Sequence, residues 1–353
     1  MLSRGRAGSV TIRPVDANVL TLPGFVTAHS HAFQRALRGR GAGGDFWAWR
    51  EAMLAEAALQ TPETVLAGYT RTYEEMLAAG YTAVGEFHYL GVDEAEAAVE
   101  AARATGIEIV LLLAAYERGG LERFRQGSVT EYLEQADRLA ASGASVGLAP
   151  HSVRACSAGW LAEIGAFAER EQLVLHAHAC EQPREIEECV AEHGVRPIEL
   201  LARCGCLGLR TTIVHATHAS PAELDLVAEA GATVCVCPTT EANLGDGFPP
   251  LVGLLERGIR LAIGSDSNVR LDPLEELREL EGTARRQTGR REIIPVDDLL
   301  AIGSQNGAAS LGLETWPDVR VDLTHHELRG VARADARAAL LFSCAAETVF
   351  SAE

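Results

Sequence analysis

The chain has 353 residues with 31 basic and 49 acidic side chains, which gives a formal net charge of −18 at pH 7. Hydrophobic residues make up 47% and charged residues 23%, the values of a globular protein, which excludes long disorder, a collagen-like repeat and a coiled coil. The acidic balance argues against nucleic acid and against an anionic membrane as partners, so a small molecule is the expected partner.

Short apolar segments alternate along the chain with longer segments that have helical periodicity. The predicted strands, in chain order, are 24–32, 81–89, 107–116, 145–152, 173–180, 211–218, 233–241 and 260–267. The segments 61–80, 157–172 and 220–231 are predicted helices, and each of them opens on Ser or Thr, which are favourable N-cap residues. This alternation is typical of a parallel sheet built from βα units.

An α/β fold of the TIM type has eight βα repeats, the number found here. We therefore predict a (β/α)8 barrel for residues 21–317. Residues 1–20 and 318–353 are expected to flank the barrel as a small β-rich appendage. The protein is expected to be a homo-oligomer, a dimer, in which contacts between the subunits compensate for the shortness of these flanks. The functional groups of a TIM barrel lie at the C-terminal ends of its strands, and six of the eight predicted strands end in His or Asp.

The strongest local motif is His29-Ser30-His31, at the end of the first predicted strand. Residues i and i+2 of a strand point to the same side, so both imidazoles can face the barrel mouth and bind one metal ion. Histidines also end the fifth strand, and Asp266 ends the eighth. Groups from these three strands could therefore form a nitrogen and oxygen site with an open position for water, which suits catalytic zinc and also iron or manganese.

All 31 basic residues are Arg, because the sequence contains no Lys. A P-loop lysine, a Schiff base and a carbamylated lysine between two metal ions are therefore excluded, and one divalent metal ion is expected. The eight Cys are scattered and are expected to be reduced. The apolar run 109–115 is too short to span a bilayer and no signal-peptide pattern is present, so a cytoplasmic location without a membrane partner is expected.

Eight segments carry a more specific pattern: HSHAFQRALRG (29–39), FWAWRE (46–51), EFHYL (86–90), APHSVRA (149–155), HACEQ (178–182), VHATH (214–218), CPTTEANLGDG (237–247) and GSDS (264–267). They resemble the amidohydrolase superfamily and, within it, the formimidoylglutamate deiminase family, over about residues 22–285. The resemblance implies hydrolysis of N-formimino-L-glutamate to N-formyl-L-glutamate and ammonia by a zinc-bound hydroxide, a step of histidine degradation.

The resemblance also implies roles for individual residues. The implied metal ligands are His29, His31, His178 and Asp266. The implied catalytic residues, which transfer protons, are Glu181, His215 and Asp266. The implied substrate-binding residues are Gln34, Arg50, Tyr89, His151 and Arg154, of which the two arginines are expected to bind substrate carboxylates.

Other polar residues near these motifs are expected to have different roles. His176 and His218 are expected to be structural, and Arg35 and Arg38 are expected on a solvated helix face. Asn268 stands where the family usually has His, a change that is expected to alter a contact beside the metal ion or the substrate.

Two other functions compete with deimination. An aminohydrolase acting on a purine, pyrimidine or nucleoside-type ring would use the same metal ligands, but a neutral ring does not require two carboxylate-binding arginines. A catalytically silent barrel that binds a metabolite would be expected to lack a metal ligand or the proton-transferring Glu181, and the sequence retains both. The deiminase function is therefore the preferred hypothesis.

Overall fold

The computed structural model describes residues 18–40 and 43–351, so most of the predicted N-terminal flank, 1–17, lies outside the described residues. The strands are β1 (Val19–Pro23), β2 (Phe25–Ser30), β3 (Tyr81–His88), β4 (Glu108–Ala115), β5 (Val146–Pro150), β6 (Leu175–Ala179), β7 (Thr211–His215), β8 (Thr233–Val236), β9 (Arg260–Ile263), β10 (Asp318–Asp322) and β11 (Val349–Ser351).

Strands β2 to β9 form one parallel sheet in which every strand pairs with the next one along the chain. An isolated parallel bridge between Ser30 and Asp266 joins the β2 and β9 ends, so the sheet is a nearly closed barrel. All eight strands lie in the part of the chain that the structure describes, and each falls within one of the strands predicted from the sequence. The predicted (β/α)8 architecture is therefore confirmed.

The α-helices lie between the strands and around the barrel. They are α1 (Phe46–Ala58), α2 (Pro62–Ala78), α3 (Val92–Thr105), α4 (Val129–Ala141), α5 (Ala158–Glu171), α6 (Pro183–His193), α7 (Pro197–Arg203), α8 (Pro221–Ala230), α9 (Pro238–Leu244), α10 (Leu251–Glu256), α11 (Pro273–Thr288), α12 (Val296–Ile302), α13 (Gln305–Ser310) and α14 (Ala336–Ser343). Among the residues that the structure describes, none of these helices has both the length and the apolar character that a membrane span requires.

The predicted helix starts are confirmed by their caps. The side chains of Thr61, Ser157 and Ser220 each accept a hydrogen bond from a backbone N–H three residues later, at the first turns of α2, α5 and α8. The barrel strands are buried on both faces, and all eight residues of β3 are buried. Burial of both faces is the environment that βα crossovers give a parallel sheet.

A second sheet lies beside the barrel and confirms the β-rich appendage. It is antiparallel, with strand order β1, β10, β11, and it pairs Val19 with Asp322 and Pro23 with Asp318. The strand β1 crosses the predicted boundary between residues 20 and 21, because its pairing with β10 continues to Pro23. The C-terminal flank also contains a helix, α14, so the appendage is not made of strands alone.

Candidate active site

Four predicted metal ligands meet at the C-terminal ends of the barrel strands. His29, His31, His178 and Asp266 are buried, and one ligand atom from each lies within 4.8 Å of the others. The Nε2 atom of His29 is 3.1 Å from that of His31 and 3.0 Å from that of His178. Oδ1 of Asp266 lies 3.5 Å and 3.4 Å from the Nε2 atoms of His29 and His31. The structure therefore brings the predicted ligand set together.

The hydrogen bonds of these imidazoles show that a cation fits between them. Nδ1 of His31 lies 2.9 Å from the carbonyl of Phe87, and Nδ1 of His178 lies 3.0 Å from the carbonyl of His151. A carbonyl only accepts, so each Nδ1 donates, and each Nε2 of these neutral rings presents a lone pair. Nε2 of His29 carries at most one proton, so it can donate to Nε2 of His31 or to Nε2 of His178 but not to both. At least one of these two nitrogen pairs therefore has no proton between its lone pairs. A divalent cation satisfies this donor set, which is the nitrogen and oxygen chemistry of zinc sites.

Burial keeps the histidines in the form that binds metal. Removal from water, together with the charge of the neighbouring His29, lowers the pKa of His31 to about 3. Burial likewise holds the pKa of His178 well below its ordinary value. These rings are therefore neutral at physiological pH, as metal coordination requires.

The backbone holds the ligands across the junction of β2 and β9, which we call the seam. The N–H of His31 donates to the carbonyl of Asp266, and the N–H of Asp266 donates to the carbonyl of His29. Gly264 lies against His29, where an added Cβ would be 2.9 Å from both the Cβ and the carbonyl oxygen of that residue. Asp266 has a φ of +43°, a left-handed conformation that costs energy in a residue other than glycine. Such strain is concentrated at functional sites.

The predicted proton-transfer residues lie beside the metal-ligand cluster. Nε2 of His215 is 3.7 Å from Oε1 of Glu181 and 3.8 Å from Oδ2 of Asp266. Nδ1 of His215 is 3.2 Å from Oε1 of Glu241. Burial disfavours the charged imidazolium, but the carboxylates of Glu181, Glu241 and Asp266 outweigh it and raise the pKa of His215 well above 6.5. Titratable side chains therefore surround one point at the barrel mouth.

A pocket of about 290 Å³ opens over this cluster, and it is lined by every predicted substrate-binding residue: Gln34, Arg50, Tyr89, His151 and Arg154. Gln34 donates a hydrogen bond to the hydroxyl of Tyr89 at 3.1 Å. The first turn of α1 adds Phe46, Trp47 and Trp49 to the pocket wall. A polar floor and an aromatic rim are typical of a small-molecule site.

Arg154 has a contact that the sequence did not indicate. Its Nη2 atom donates to Oε2 of Glu181 at 3.2 Å. The N–H of Glu181 in turn donates to Oε2 of Glu185 at 3.0 Å, and Glu185 is fully buried. A change at Arg154 is therefore expected to alter the position of Glu181 as well as any contact with substrate.

Asn268 lies behind the predicted metal ligands and does not line the pocket. Its side chain accepts from Ser265 at 2.7 Å and donates to Ser30, the residue between His29 and His31. Arg35 donates to the carbonyl oxygens of Asn268 and Val269 and also pairs with Glu75. The expectation that Arg35 is solvated was wrong, because its guanidinium fixes the loop that follows Asp266.

The two histidines expected to be structural are bonded outside the cluster. Nε2 of His176 lies 3.0 Å from the carbonyl of Ser310, and Nε2 of His218 lies 2.7 Å from the carbonyl of Asp246. His178 and His215, by contrast, line the pocket at the barrel mouth.

Glu241, which contacts His215 from the first turn of α9, was not among the residues predicted from the sequence. Its Oε1 also accepts a hydrogen bond from the N–H of Cys237, so the carboxylate is held on two sides. Glu241 lies inside the segment 237–247 that carried the family resemblance, and this was the available signal. The buried Glu185 was missed as well, and no motif indicated it.

Comparison with known proteins agrees with this geometry. Residues 20–315 match the Amidohydrolase family. The chain is 41% identical over 329 residues to formimidoylglutamate deiminase of Pseudomonas aeruginosa, covering 83% of this chain and 72% of that protein. It is 30% identical over 320 residues to 5-methylthioadenosine/S-adenosylhomocysteine deaminase of Halobacterium salinarum, covering 85% and 70%.

A solved structure has the same fold. The crystal structure of an adenosine deaminase from Xanthomonas campestris with bound zinc superimposes with a TM-score of 0.86 at 26% identity, over 94% of this chain and 78% of that one. The family match covers most of the chain and includes the barrel that holds the site. The chain therefore belongs to the amidohydrolase family and is a hydrolase that acts on non-peptide carbon–nitrogen bonds.

Proposed function

We propose that the protein hydrolyses N-formimino-L-glutamate. Water adds to the amidine carbon, the bond from that carbon to the terminal nitrogen breaks, and the products are N-formyl-L-glutamate and ammonia. The 41% identity to a formimidoylglutamate deiminase supports this proposal. The observation that carries it is the presence of Arg50 and Arg154 in the pocket that opens over the histidine cluster.

The two arginines have donors available for a substrate with two carboxylates. Among the described residues, the guanidinium of Arg154 makes only one hydrogen bond, to Glu181, although it has five N–H groups. The nearest carboxylate to Arg50 is that of the exposed Glu51, at 3.6 Å. Guanidinium groups bind carboxylates through paired hydrogen bonds, which compensates at short range for the net charge of −18.

We propose that His29, His31, His178 and Asp266 hold one divalent cation, and that this cation is zinc. The zinc in the adenosine deaminase of similar fold supports this choice. Such a cation lowers the pKa of water to about 7 and so makes hydroxide available at neutral pH. Metal binding requires the three imidazoles to be neutral and the carboxylate of Asp266 to be ionised.

The residues of the chain would then move the protons. Glu181 lies within 3.7 Å of His215 and is positioned to take a proton from water and to deliver it to the departing nitrogen. Glu241 holds His215 so that its Nε2 faces Glu181 and Asp266. Arg154 fixes one oxygen of Glu181 and leaves the other directed towards His215.

Turnover of N-formimino-L-glutamate by the zinc-loaded protein tests this function. Ammonia release should follow Michaelis–Menten kinetics with this substrate and should be at least about 100-fold slower, in kcat/KM, with 5-methylthioadenosine or adenosine. A higher kcat/KM for either nucleoside would contradict the proposal.

A nucleoside-type aminohydrolase remains the second candidate because of the pocket rim. Phe46, Trp47 and Trp49 could stack on a purine ring, and a relative at 30% identity is named as a deaminase of such compounds. The substrate comparison above distinguishes the two functions directly.

Replacing Arg50 is expected to weaken substrate binding selectively. Arg50→Ala should raise KM by about 10–100-fold, the effect of losing hydrogen bonds to a charged group, and should leave kcat within about threefold. Glu51→Ala is the matched control, because Glu51 is the neighbouring side chain on α1 and is 75% exposed. Steady-state kinetics of both variants measure the effect, and an unchanged KM in Arg50→Ala would remove Arg50 from the substrate site.

All eight cysteines are free thiols. We propose on this ground that the protein works in a reducing compartment, the cytoplasm.

A further inference from the structure

The hydroxyl of Ser30 lies between two polar side chains, those of Glu86 on β3 and of Asn268 in the loop after β9. It donates to Oε2 of Glu86 at 2.9 Å and accepts from Nδ2 of Asn268 at 3.1 Å. All three residues are fully buried, and neither Glu86 nor Asn268 lines the pocket over the histidine cluster. The proposed reaction gives Glu86 no role.

Glu86 holds the segment around His31 from the β3 side. Its Oε1 accepts from the N–H of Ala32 at 2.8 Å, while its Oε2 accepts from Ser30, so the carboxylate bridges the residues before and after His31. The carbonyl of Phe87, the next residue of β3, is 2.9 Å from Nδ1 of His31. Two consecutive residues of β3 therefore fix both the backbone and the ring of this predicted ligand.

Asn268 holds the same hydroxyl from the β9 side. Its Oδ1 accepts from the hydroxyl of Ser265 at 2.7 Å, which leaves its Nδ2 to donate to Ser30. Asn268 has a φ of +55°, a left-handed conformation that Asn and Asp adopt more readily than most residues. Because Asn268 and Ser265 flank Asp266 in sequence, this contact joins the loop of Asp266 to the segment 29–31.

The hydrogen bonds of Ser30 have a fixed direction. An ionised carboxylate accepts and cannot donate, so the single proton of the hydroxyl points to Glu86. The lone pairs of the hydroxyl then need a donor, which the amide nitrogen of Asn268 supplies. A carboxylate on one side and an amide on the other therefore satisfy the buried hydroxyl, and two carboxylates would not, since one of them would face it without a proton.

We propose that Glu86 and Asn268 are a matched pair of positioning residues, which act through Ser30 to hold three of the four metal ligands in place. The hydrogen bonds of Ser30 connect the segments that carry these ligands. This inference rests on the proposed function, because it assumes the proposed metal ion, and it concerns the affinity for that ion. The three ligands are His29, His31 and Asp266.

Exchanging the two functional groups tests the pair. Glu86→Gln should weaken zinc binding by about 10–100-fold, because the single amide oxygen cannot accept from both Ala32 and Ser30. Asn268→Asp should also weaken it, because Ser30 would then face two carboxylates with one proton. The double variant should recover the wild-type affinity to within about threefold, since the new amide would donate to Ser30 and Ser30 would donate to the new carboxylate.

Zinc affinity is measured by competition with a chelating dye, in the absence of substrate. Burial raises the pKa of Glu86 to about 8, and the hydrogen bonds from Ala32 and Ser30 oppose this change. The titration is therefore done at about pH 8.5, where the carboxylate is mostly ionised. Because no substrate is present, the result does not depend on which amidine the enzyme hydrolyses.

Glu281→Gln is the matched control. Glu281 is a fully buried carboxylate on α11 that accepts hydrogen bonds from the N–H groups of Ile293 and Ile294. It belongs neither to the pocket nor to the ligand cluster. That variant should lose thermal stability and keep the wild-type zinc affinity, so it separates a general loss of stability from an effect on the ligands.

An unchanged zinc affinity in Glu86→Gln overturns the inference. So does a double variant whose loss equals the two single losses together, because the two residues would then not act through one hydroxyl. If Glu86→Gln does not fold, Ser30→Ala replaces it: loss of the shared hydroxyl should weaken zinc binding by at least about tenfold, and an unchanged affinity contradicts the pair.

The wild-type protein distinguishes this inference from the proposed function. Zinc binding without turnover of N-formimino-L-glutamate would contradict the proposed reaction alone, and the variants would still decide the role of Glu86. A wild-type protein that binds no zinc would overturn the proposed metal site and this inference together.

Discussion

Glu181→Gln is expected to lower kcat by about 10²–10⁴-fold, the range for removing a group that transfers protons in the transition state. The amide retains the size of the carboxylate and can still accept the hydrogen bond from Arg154, so the pocket should keep its shape. It cannot exchange protons at working pH. Metal content and KM should therefore remain near the wild-type values while turnover is lost.

Glu188→Gln is the control for this experiment. Glu188 lines the same pocket but pairs with Arg184, and its side chain is 50% exposed, so its substitution should have little effect on kcat. Elemental analysis beside steady-state kinetics distinguishes the roles. Loss of metal from Glu181→Gln would make Glu181 a ligand, and full kcat would assign proton transfer to His215 or Asp266 alone.

His178→Ala is expected to abolish metal binding and activity together. Changing a residue that hydrogen-bonds to a metal ligand typically weakens metal affinity by about 10–100-fold. Removing one of the four ligands themselves should weaken it by more than this. Elemental analysis of the purified variant should then find almost no metal, whereas the wild type should contain about one ion per chain.

His176→Ala provides the contrast, because His176 lies two residues earlier on β6 and bonds to Ser310. That variant should lose thermal stability, since it leaves a buried carbonyl without its donor, but it should retain the metal. A wild-type stoichiometry near two, or full metal content in His178→Ala, would show that the four-residue site is wrong.

The sequence was sufficient to predict the barrel and the groups at its mouth. Each barrel strand is short, apolar and followed by a helix, and these local patterns survive folding because both faces of the strands are buried. The motif 29–31 and Asp266 could be placed together because the ends of all parallel strands meet at one edge of the barrel.

Contacts between distant loops could not be predicted in this way. The bond from Arg154 to Glu181 and that from Glu241 to His215 depend on the directions of side chains that start from different strands. The end of β1 depends on its partner β10, almost 300 residues later, so local patterns alone did not reveal that it continues to Pro23.

The seam has a consequence for the order in which the protein becomes functional. His29 and His31 belong to the first barrel strand, and Asp266 follows the last one, so the ligand set spans nearly the whole barrel sequence. During synthesis, the three histidines emerge well before Asp266 and cannot form the complete site without it. A metal ion that binds only the closed barrel would also oppose its opening at this junction, in proportion to the logarithm of the free metal concentration. Complete metal loading would therefore be limited to chains in which the final barrel strand has been added.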